Sequence, residues 1–326
     1  MITLYKLYPK PPFSRFRTSN DGLDITDYMI HSDTLFSSLV NVHAQVYGKE
    51  ATDEWVKAFE TDQLSISSAF IGLEQEGKVI YFFPKPVILM KHELNPKDRK
   101  ASSAMQWVSE GLLQKILEHY DSDSSCSFLQ IKDCVKSQDG KFWCLPEESG
   151  SLPNIVTKQV KPGLEIDRQT GGAVEGMLYN QTDWVLPSKT EEWSPFLYVL
   201  AKGEQHKLAA CMRILADTGI GGKRSTGAGQ FERVEVANWS WQKPSDKGLE
   251  YHLSLLNPQA NEMDKLRYYE LKVRAGHYAG RQQELMPHVN MVGEGAVAQQ
   301  GTTGRLVSLS QTPVIIRYGK SFTLDF

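Results

Sequence analysis

The sequence predicts an α+β protein. Three observations carry that expectation. Short runs of β-branched and aromatic residues recur along the chain; three segments place apolar residues at spacings of three and four; and the last of these runs straight into a glycine-rich loop followed by another β-type run. With 326 residues the chain has room for two ordinary domains or one large elaborated one. A hydrophobic share of 40% and a charged share of 23% belong to a globular protein with a sizeable core.

The elements follow in order. "ITLYKLYP" (2–9) is β-branched and aromatic and ends before a Pro-Pro break, which predicts a first strand. "SRFRTSNDGLDITDYMI" (14–30), with Arg15 and Arg17 flanking Phe16, reads as a loop. In 31–48, Leu35, Phe36, Leu39, Val40, His43, Val46 and Tyr47 form one helical stripe, with Ser32 or Asp33 placed to cap the first turn and Gly48 to end it. Residues 66–86 hold two apolar β-type runs around Glu-Gly-Lys, a hairpin. The basic stretch 85–100 reads as a solvated loop, 103–120 as a second amphipathic helix, and "DSDSS" (121–125) as a linker. Paired glycines, Arg168 at a turn and apolar alternation after Gly176 give 160–187 the pattern of a protruding hairpin. A strand at 193–201, a helix at 204–219 and a strand at 230–239 complete this part. Beyond it, "EYHLSLL", "RYYELKVRA", "HVNMVG" and "PVIIRYG" are further strand candidates.

Composition excludes several classes. No apolar run reaches the roughly 18 residues that span a bilayer, and "MITLYKLYPKPPF" lacks the pattern of a signal peptide, so the expected location is the cytoplasm. Cys126, Cys134, Cys144 and Cys211 include no CxxC pair and read as free, buried thiols. His277 and His288 flank Arg281 without a carboxylate cluster of metal-binding spacing, so neither a metal nor a cofactor is expected. A net charge of −3 argues against coating nucleic acid through bulk positive charge and leaves room for a local basic groove.

The segment "GIGGKRSTGAGQF" (219–231) carries the chemistry. It lies between a helix and a strand, the reverse of the strand-to-helix order of nucleotide-binding glycine loops. The spelling fails as well: a P-loop would need glycine where Asp217 stands, and a dinucleotide fingerprint would need glycine where Arg224 stands. What remains is a backbone almost free of side chains, with Lys223 and Arg224 as cations and Ser225 and Thr226 as hydroxyl donors. Glycine lets a phosphodiester approach the main chain and permits positive φ, so successive N–H groups can converge on an anion. Each hydrogen bond to a charged partner is worth about 1.5–3 kcal/mol, so a few of them make a clamp.

A helix followed by this loop and a strand resembles the glycine-rich signature of the CRISPR RAMP proteins. "HSDTLFSSL" (31–39) resembles their first-helix motif, "LEIDRQTGGAVEGMLY" (164–179) their thumb-hairpin segment, and "TPVIIRYGKSFTLDF" (312–326) the tail of one member. Together the four are similar to the fourth-subunit family of type III-A Csm effector complexes, and only about 85–155 holds no motif that can be placed. The resemblance implies two ferredoxin-like (RRM-type) modules with long insertions and a thumb-like hairpin. The first would be 1–238, with an insertion at about 84–192 and the glycine-rich loop at 219–229; the second would be 239–326.

It also implies a noncatalytic role: capping the 5′ handle of crRNA and bridging backbone Csm RAMP subunits to the large polymerase-like Csm subunit, in a heteromeric assembly rather than a homo-oligomer. Carried over by position, Gly221, Gly222, Lys223, Arg224, Ser225, Thr226, Gly227 and Gly229 would clamp the handle. His31 and Ser32 would face the same groove, and Arg168 would meet a flanking nucleotide. No aromatic run of the RRM kind is present, so sheet-face stacking is not expected.

The enzymatic alternative rests on His31-Ser32-Asp33. Neighbours at a helix start point about 100° apart and form no triad by adjacency. Asp33 in a first helical turn is accounted for by the helix dipole. A metal-independent RAMP endoribonuclease with His31 as general base is the competing expectation.

Overall fold

The computed structural model describes residues 1–11, 13–17, 28–75, 77–87, 89–91, 96–120, 125–127, 133–167, 169–204, 206–221, 227–278, 281–311 and 314–326. Its main sheet runs from edge to edge through Phe231–Trp239, Ile2–Pro9, Trp193–Gly203, Phe70–Gln75, Lys78–Pro84, Trp107–Ser109, Phe142–Cys144 and Val135–Lys136, and Leu64–Ile66 also pairs with Trp193–Gly203. The first four strands of that path pair antiparallel. In the chain, Ile2–Pro9 is followed by a helix, Ser32–Glu60, and then by Phe70–Gln75; Trp193–Gly203 is followed by a helix, His206–Thr218, and then by Phe231–Trp239. Numbered by sequence, these four strands therefore stand in space as fourth, first, third, second. The expected α+β class is what the chain adopts.

Sequence explains the centre. Residues 195–201 of Trp193–Gly203 are all buried, and an unbroken apolar run, rather than an alternating one, marks a strand covered on both faces. Leu35, Phe36, Leu39, Val42 and His43 turn one face of the first helix to the core. Gly48 breaks that helix at φ 81, and the chain then resumes helical geometry to Glu60, burying Thr52, Trp55 and Phe59. The apolar stripe up to Gly48 is legible in sequence; its continuation is not, because 49–60 is mostly charged and polar and its large buried side chains are just Trp55 and Phe59. His43 is a core histidine, 4.4 Å from the Trp55 ring in a stacked geometry and 2.8 Å from the Thr52 hydroxyl through Nδ1.

Three local expectations change. Phe13–Arg17, expected as loop, is a strand paired with Ala173–Pro187, because Phe16 buries against Trp184 with ring centroids 4.2 Å apart. The helix expected over 103–120 divides into the end of the helix Pro96–Ala104, the buried strand Trp107–Ser109 and the helix Glu110–Glu118. Ser109 caps the last of these by accepting from the Leu112 N–H at 3.3 Å. Lys85, expected in a solvated loop, is half-buried and donates to the Ser102 carbonyl. Cys144 and Cys211 are buried free thiols, pushed by burial up to about 12 and about 11 respectively.

The C-terminal part is built of strands. Leu266–Tyr268, Val297–Gln299, Leu249–His252 and Thr323–Asp325 form a four-stranded sheet, with Leu271–Arg274 paired to Val289–Val292 and Val307–Gln311 to Val314–Arg317 beside it. Among the described residues no α-helix falls in 239–326; a short 3-10 turn, Ala260–Lys265, stands where a ferredoxin-like module would need helices. This segment borrows cover from the rest of the chain instead: Tyr251, Leu253, Tyr318, Phe322, Leu324 and Phe326 are part of the same contiguous core as the main sheet. Phe36, for example, packs against both Phe59 and Tyr318.

Candidate nucleic-acid interface

The glycine-rich segment is built in two layers. At its base, Gly219 donates to the Leu215 carbonyl and closes the helix, while Ile220 donates to the Gly229 carbonyl at 3.0 Å, drawing the two ends of the loop together. Gly219 (φ 84) and Gly229 (φ 69) both occupy left-handed backbone. A Cβ at Gly229 would fall 2.1 Å from the Ile220 carbonyl oxygen and one at Gly219 2.7 Å from that of Ala228. These two glycines exist so that strand and helix can meet at a neck. Beside the neck, the Gln230 carbonyl accepts from the Ser14 hydroxyl, and Phe231 packs on Phe16. The root of the long hairpin is thereby fastened to the loop's exit.

Above the neck, Gly221 (φ 107) and Gly227 (φ 75) are also left-handed, yet among the described residues a Cβ at either would meet nothing within 4 Å. Open space around a backbone that only glycine adopts readily is what close approach of a ligand requires. Gly222, Lys223, Arg224, Ser225 and Thr226 lie outside the described residues. Arg168, which the sequence puts between the paired strands Thr157–Ile166 and Ala173–Pro187, lies outside the described residues too. That hairpin leaves Val160, Leu164 and Ile166 exposed.

Gly221 borders a cleft of about 400 Å³. One wall is the first helix, through Thr34, Ser37, Ser38 and Asn41. Their spacing is i, i+3, i+4 and i+7, a single uncharged polar stripe opposite the apolar face that packs in the core. Leu309, Ile315, Ile316 and Met286 add apolar lining, and Asp33, Arg274 and Arg317 complete it with charge. Arg274 grips Asp33 with both arms of its fork, Nε to Oδ2 at 3.0 Å and Nη2 to Oδ1 at 2.8 Å. Arg317 donates from Nη1 to Oδ2 at 2.9 Å. Burial pushes the Asp33 carboxyl up, but Arg274, His31 and Arg317 outweigh it and hold the group below the usual carboxylate range. Two guanidinium groups on one carboxylate leave the site one positive charge over.

His31 and Ser32 have a different fate from the one their position suggests. His31 is 7% exposed, and its Nδ1 is 2.8 Å from Oε1 of the buried Glu294. Glu294 also accepts from the Ser68 hydroxyl and has Lys272 at 3.6 Å. Burial raises this carboxyl, and His31 and Lys272 more than offset that, bringing it down to about 2. Ser32 is fully buried: its N–H donates to the Ser68 hydroxyl at 2.8 Å and its own hydroxyl accepts from the Leu255 N–H at 3.0 Å. The triplet thus rivets the start of the first helix to the C-terminal strands, with His31 and Ser32 turned into the protein rather than toward the groove. The helix cap expected from Ser32 or Asp33 is absent in that form; His31 is the capping residue, without a side-chain bond.

Sequence reasoning missed Arg274 and Arg317. Both sit at the end of apolar β-type runs, Leu-Lys-Val-Arg and Val-Ile-Ile-Arg. A cation closing such a run is the available signal, since it either leaves the sheet or meets a buried acid.

Residues 245–326 match the family described as the CRISPR Csm4 C-terminal domain. A protein of Methanocaldococcus jannaschii named CRISPR system Cms protein Csm4 is 23% identical over 338 residues, covering 91% of this chain and 86% of its own length. One of the same name from Thermococcus onnurineus is 27% identical over 327 residues, covering 98% and 94%. Among solved structures, a chain of the Csm3-Csm4 subcomplex in the type III-A CRISPR-Cas interference complex has a TM-score of 0.69 at 18% identity, with 99% of both chains covered. A chain of the Csm1-Csm4 cassette in complex with pppApA has a TM-score of 0.61 at 18% identity, covering 99% of this chain and 97% of that one. The structural matches speak for the fold, and the domain match and the two end-to-end relatives speak for descent. Residues 245–326 thus belong to the Csm4 C-terminal domain family, and the chain as a whole is similar to two proteins named Csm4.

Proposed function

We propose that this chain is a noncatalytic RNA-binding subunit of a type III-A CRISPR interference complex, holding the 5′ handle of crRNA and bridging the backbone RAMP subunits to the large polymerase-like subunit. The observation that carries the reading is the two-layered glycine segment. Its neck is locked by Gly219, Ile220 and Gly229, while Gly221 and Gly227 take left-handed backbone with room beside them, and Gly221 borders a cleft with a polar helical wall. Between Gly221 and Gly227 in the sequence, Lys223 and Arg224 supply cations and Ser225 and Thr226 supply hydroxyl donors in this reading. Single-stranded RNA is held by such combinations of main-chain amides and cations on phosphates.

Bridging is supported by the company of similar chains. One lies in a Csm3-Csm4 subcomplex and another in a Csm1-Csm4 cassette. The spatial order fourth, first, third, second, with one helix after the first strand and one after the third, supports a ferredoxin-like RAMP module in the N-terminal part. Residues 239–326 act as its strand-built companion. No helix among the described residues is long and apolar enough to cross a membrane, and the chain works in the cytoplasm in this reading.

Against an endoribonuclease with His31 as general base stands the burial of that ring against Glu294. Incubating labelled crRNA with the purified chain tests the reading. Intact RNA is expected to be bound, with affinity falling steeply as salt rises. Site-specific cleavage that His31→Ala abolishes would overturn it.

A further inference from the structure

A second cleft, of about 460 Å³, shares no lining residue with the one beside the glycine loop. The stretch 85–155, which holds no motif that the sequence places, contributes Glu110, Gln114 and Glu148 to it; Tyr81 comes from Lys78–Pro84, and Trp239 and Gln242 from the end of Phe231–Trp239 and the chain just after it. Both aromatic rings are fixed from behind. Tyr81 packs edge-on against Phe196 and Tyr198, with centroids 5.9 and 5.1 Å apart, and Trp239 has Phe83 and Trp241 each at 6.1 Å. Gln114 donates from Nε2 to the Gln242 carbonyl at 3.5 Å and ties the helix Glu110–Glu118 to the far wall. The charge in this cleft is of one sign: Glu110 and Glu148 line it, and no lysine, arginine or histidine does. Glu148 accepts from the Ser109 hydroxyl, from the Gly111 N–H at 3.0 Å and from the Leu145 N–H at 2.8 Å, all neutral donors. Burial pushes the Glu110 carboxyl up to about 7; the Trp239 indole holds it down, Glu148 pushes it further up, and no cation offsets them. A half-buried carboxylate without a counter-charge is costly, and the chain supplies none here.

We propose that this cleft binds a small organic cation of the polyamine class, with an ammonium nitrogen on Glu110, the charge of Glu148 beside it, and the methylenes against Tyr81 and Trp239. The site is separate from the glycine loop and stands or falls without the RNA-binding reading. Aromatic rings attract an alkylammonium and cover its carbon chain, while the carboxylate and the side-chain amides accept its N–H groups. A bare divalent ion is a poorer match, because it takes six or more oxygen ligands in all and Glu148 is already occupied by three donors. The titratable groups around Glu110 are Glu148, Tyr81 and the buried Tyr198, and burial keeps both tyrosines neutral by raising them. A cation favours the ionised form of Glu110, so binding and proton release are coupled. Binding therefore strengthens as pH rises through about 7.

Calorimetric titration of the full chain with spermidine tests this on the unmodified protein. One saturable site is expected, roughly tenfold tighter at about pH 8 than at about pH 6, as Glu110 passes from mostly protonated to mostly ionised. Glu110→Gln keeps an oxygen for the Trp239 indole and removes the charge, and thermal unfolding checks that it folds. In that variant affinity at the higher pH is expected to fall roughly tenfold, the loss of one charge-assisted contact, and the pH dependence to disappear. Glu54→Gln, at an exposed position of the first helix, is expected to bind as the parent does, which separates the cleft from the general attraction of a polycation to a chain of net charge −3. The absence of saturable binding overturns the proposal. So does binding that Glu110→Gln leaves unchanged, or that Glu54→Gln weakens equally. Displacement of spermidine by an equal concentration of magnesium assigns the cleft to a metal ion and also overturns it.

Discussion

His31-Ser32-Asp33 and the glycine-rich segment 219–229 both carry the family resemblance and both look, in sequence, like polar groups waiting for a ligand. The fold treats them in opposite ways. Each polar group of the triplet has a partner inside the chain: Glu294 for His31, Ser68 and the Leu255 N–H for Ser32, Arg274 and Arg317 for Asp33. Among the described residues, the glycine segment is bonded at its neck, and a Cβ at Gly221 or Gly227 would meet nothing within 4 Å. Whether a polar motif serves the fold or a ligand is decided by whether a distant part of the chain supplies its partner. Those partners lie more than 200 residues away from the triplet, apart from Ser68.

The largest effect that would break this contrast is at Asp33. Asp33→Ala leaves Arg274 and Arg317 without their shared acceptor, and loss of one partner of a buried pair costs about 3–5 kcal/mol. Urea unfolding should show a drop of that size, and a near-neutral result would mean that the triplet is not structural. Next in size is the neck. Gly229→Ala drives a Cβ into the Ile220 carbonyl and is expected to cost more stability than Gly227→Ala, where only the positive φ is penalised, by about 1 kcal/mol. Equal losses in the two variants would erase the distinction between neck and opening.

Acid unfolding sharpens the comparison further. Glu294 has its folded pKa depressed to about 2, so it contributes stability that is fully present above its unfolded value near 4.5 and is lost as pH falls from there toward 2. Glu294→Gln should flatten the stability profile in that window, and an unchanged slope would contradict the pairing with His31. The smallest effect on stability is expected from Lys223→Ala with Arg224→Ala. Thermal unfolding should barely move, while crRNA affinity falls and its dependence on salt becomes shallower by about two charges. A destabilised variant with unchanged RNA affinity would place these cations in the fold.

Much of the N-terminal architecture is legible from periodicity. The strands 2–9, 193–201 and 230–239, the hairpin within 66–86 and the two long helices are marked by apolar runs and by the change from period two to 3.6. Phe13–Arg17 is not, because its pairing is decided by Trp184, far away in the chain. The C-terminal strands are visible individually, but their dependence on the shared core is not, since Tyr251 and Tyr318 read as ordinary strand aromatics. For the site, the glycines are legible as a class, whereas the division between Gly219 and Gly229 at the neck and Gly221 and Gly227 at the opening depends on which backbone lies opposite each. Arg274 and Arg317 were hidden because their partner, Asp33, is a tertiary neighbour.

Amide hydrogen exchange of the full chain with and without crRNA tests the central claim most directly. Amides within 221–227 should exchange readily in the free protein and become protected when RNA is added, while those of Ser32, Thr34 and Leu35, already bonded internally, should be slow in both states and show no change. Protection that appears at 31–36 and leaves 221–227 untouched would contradict the account.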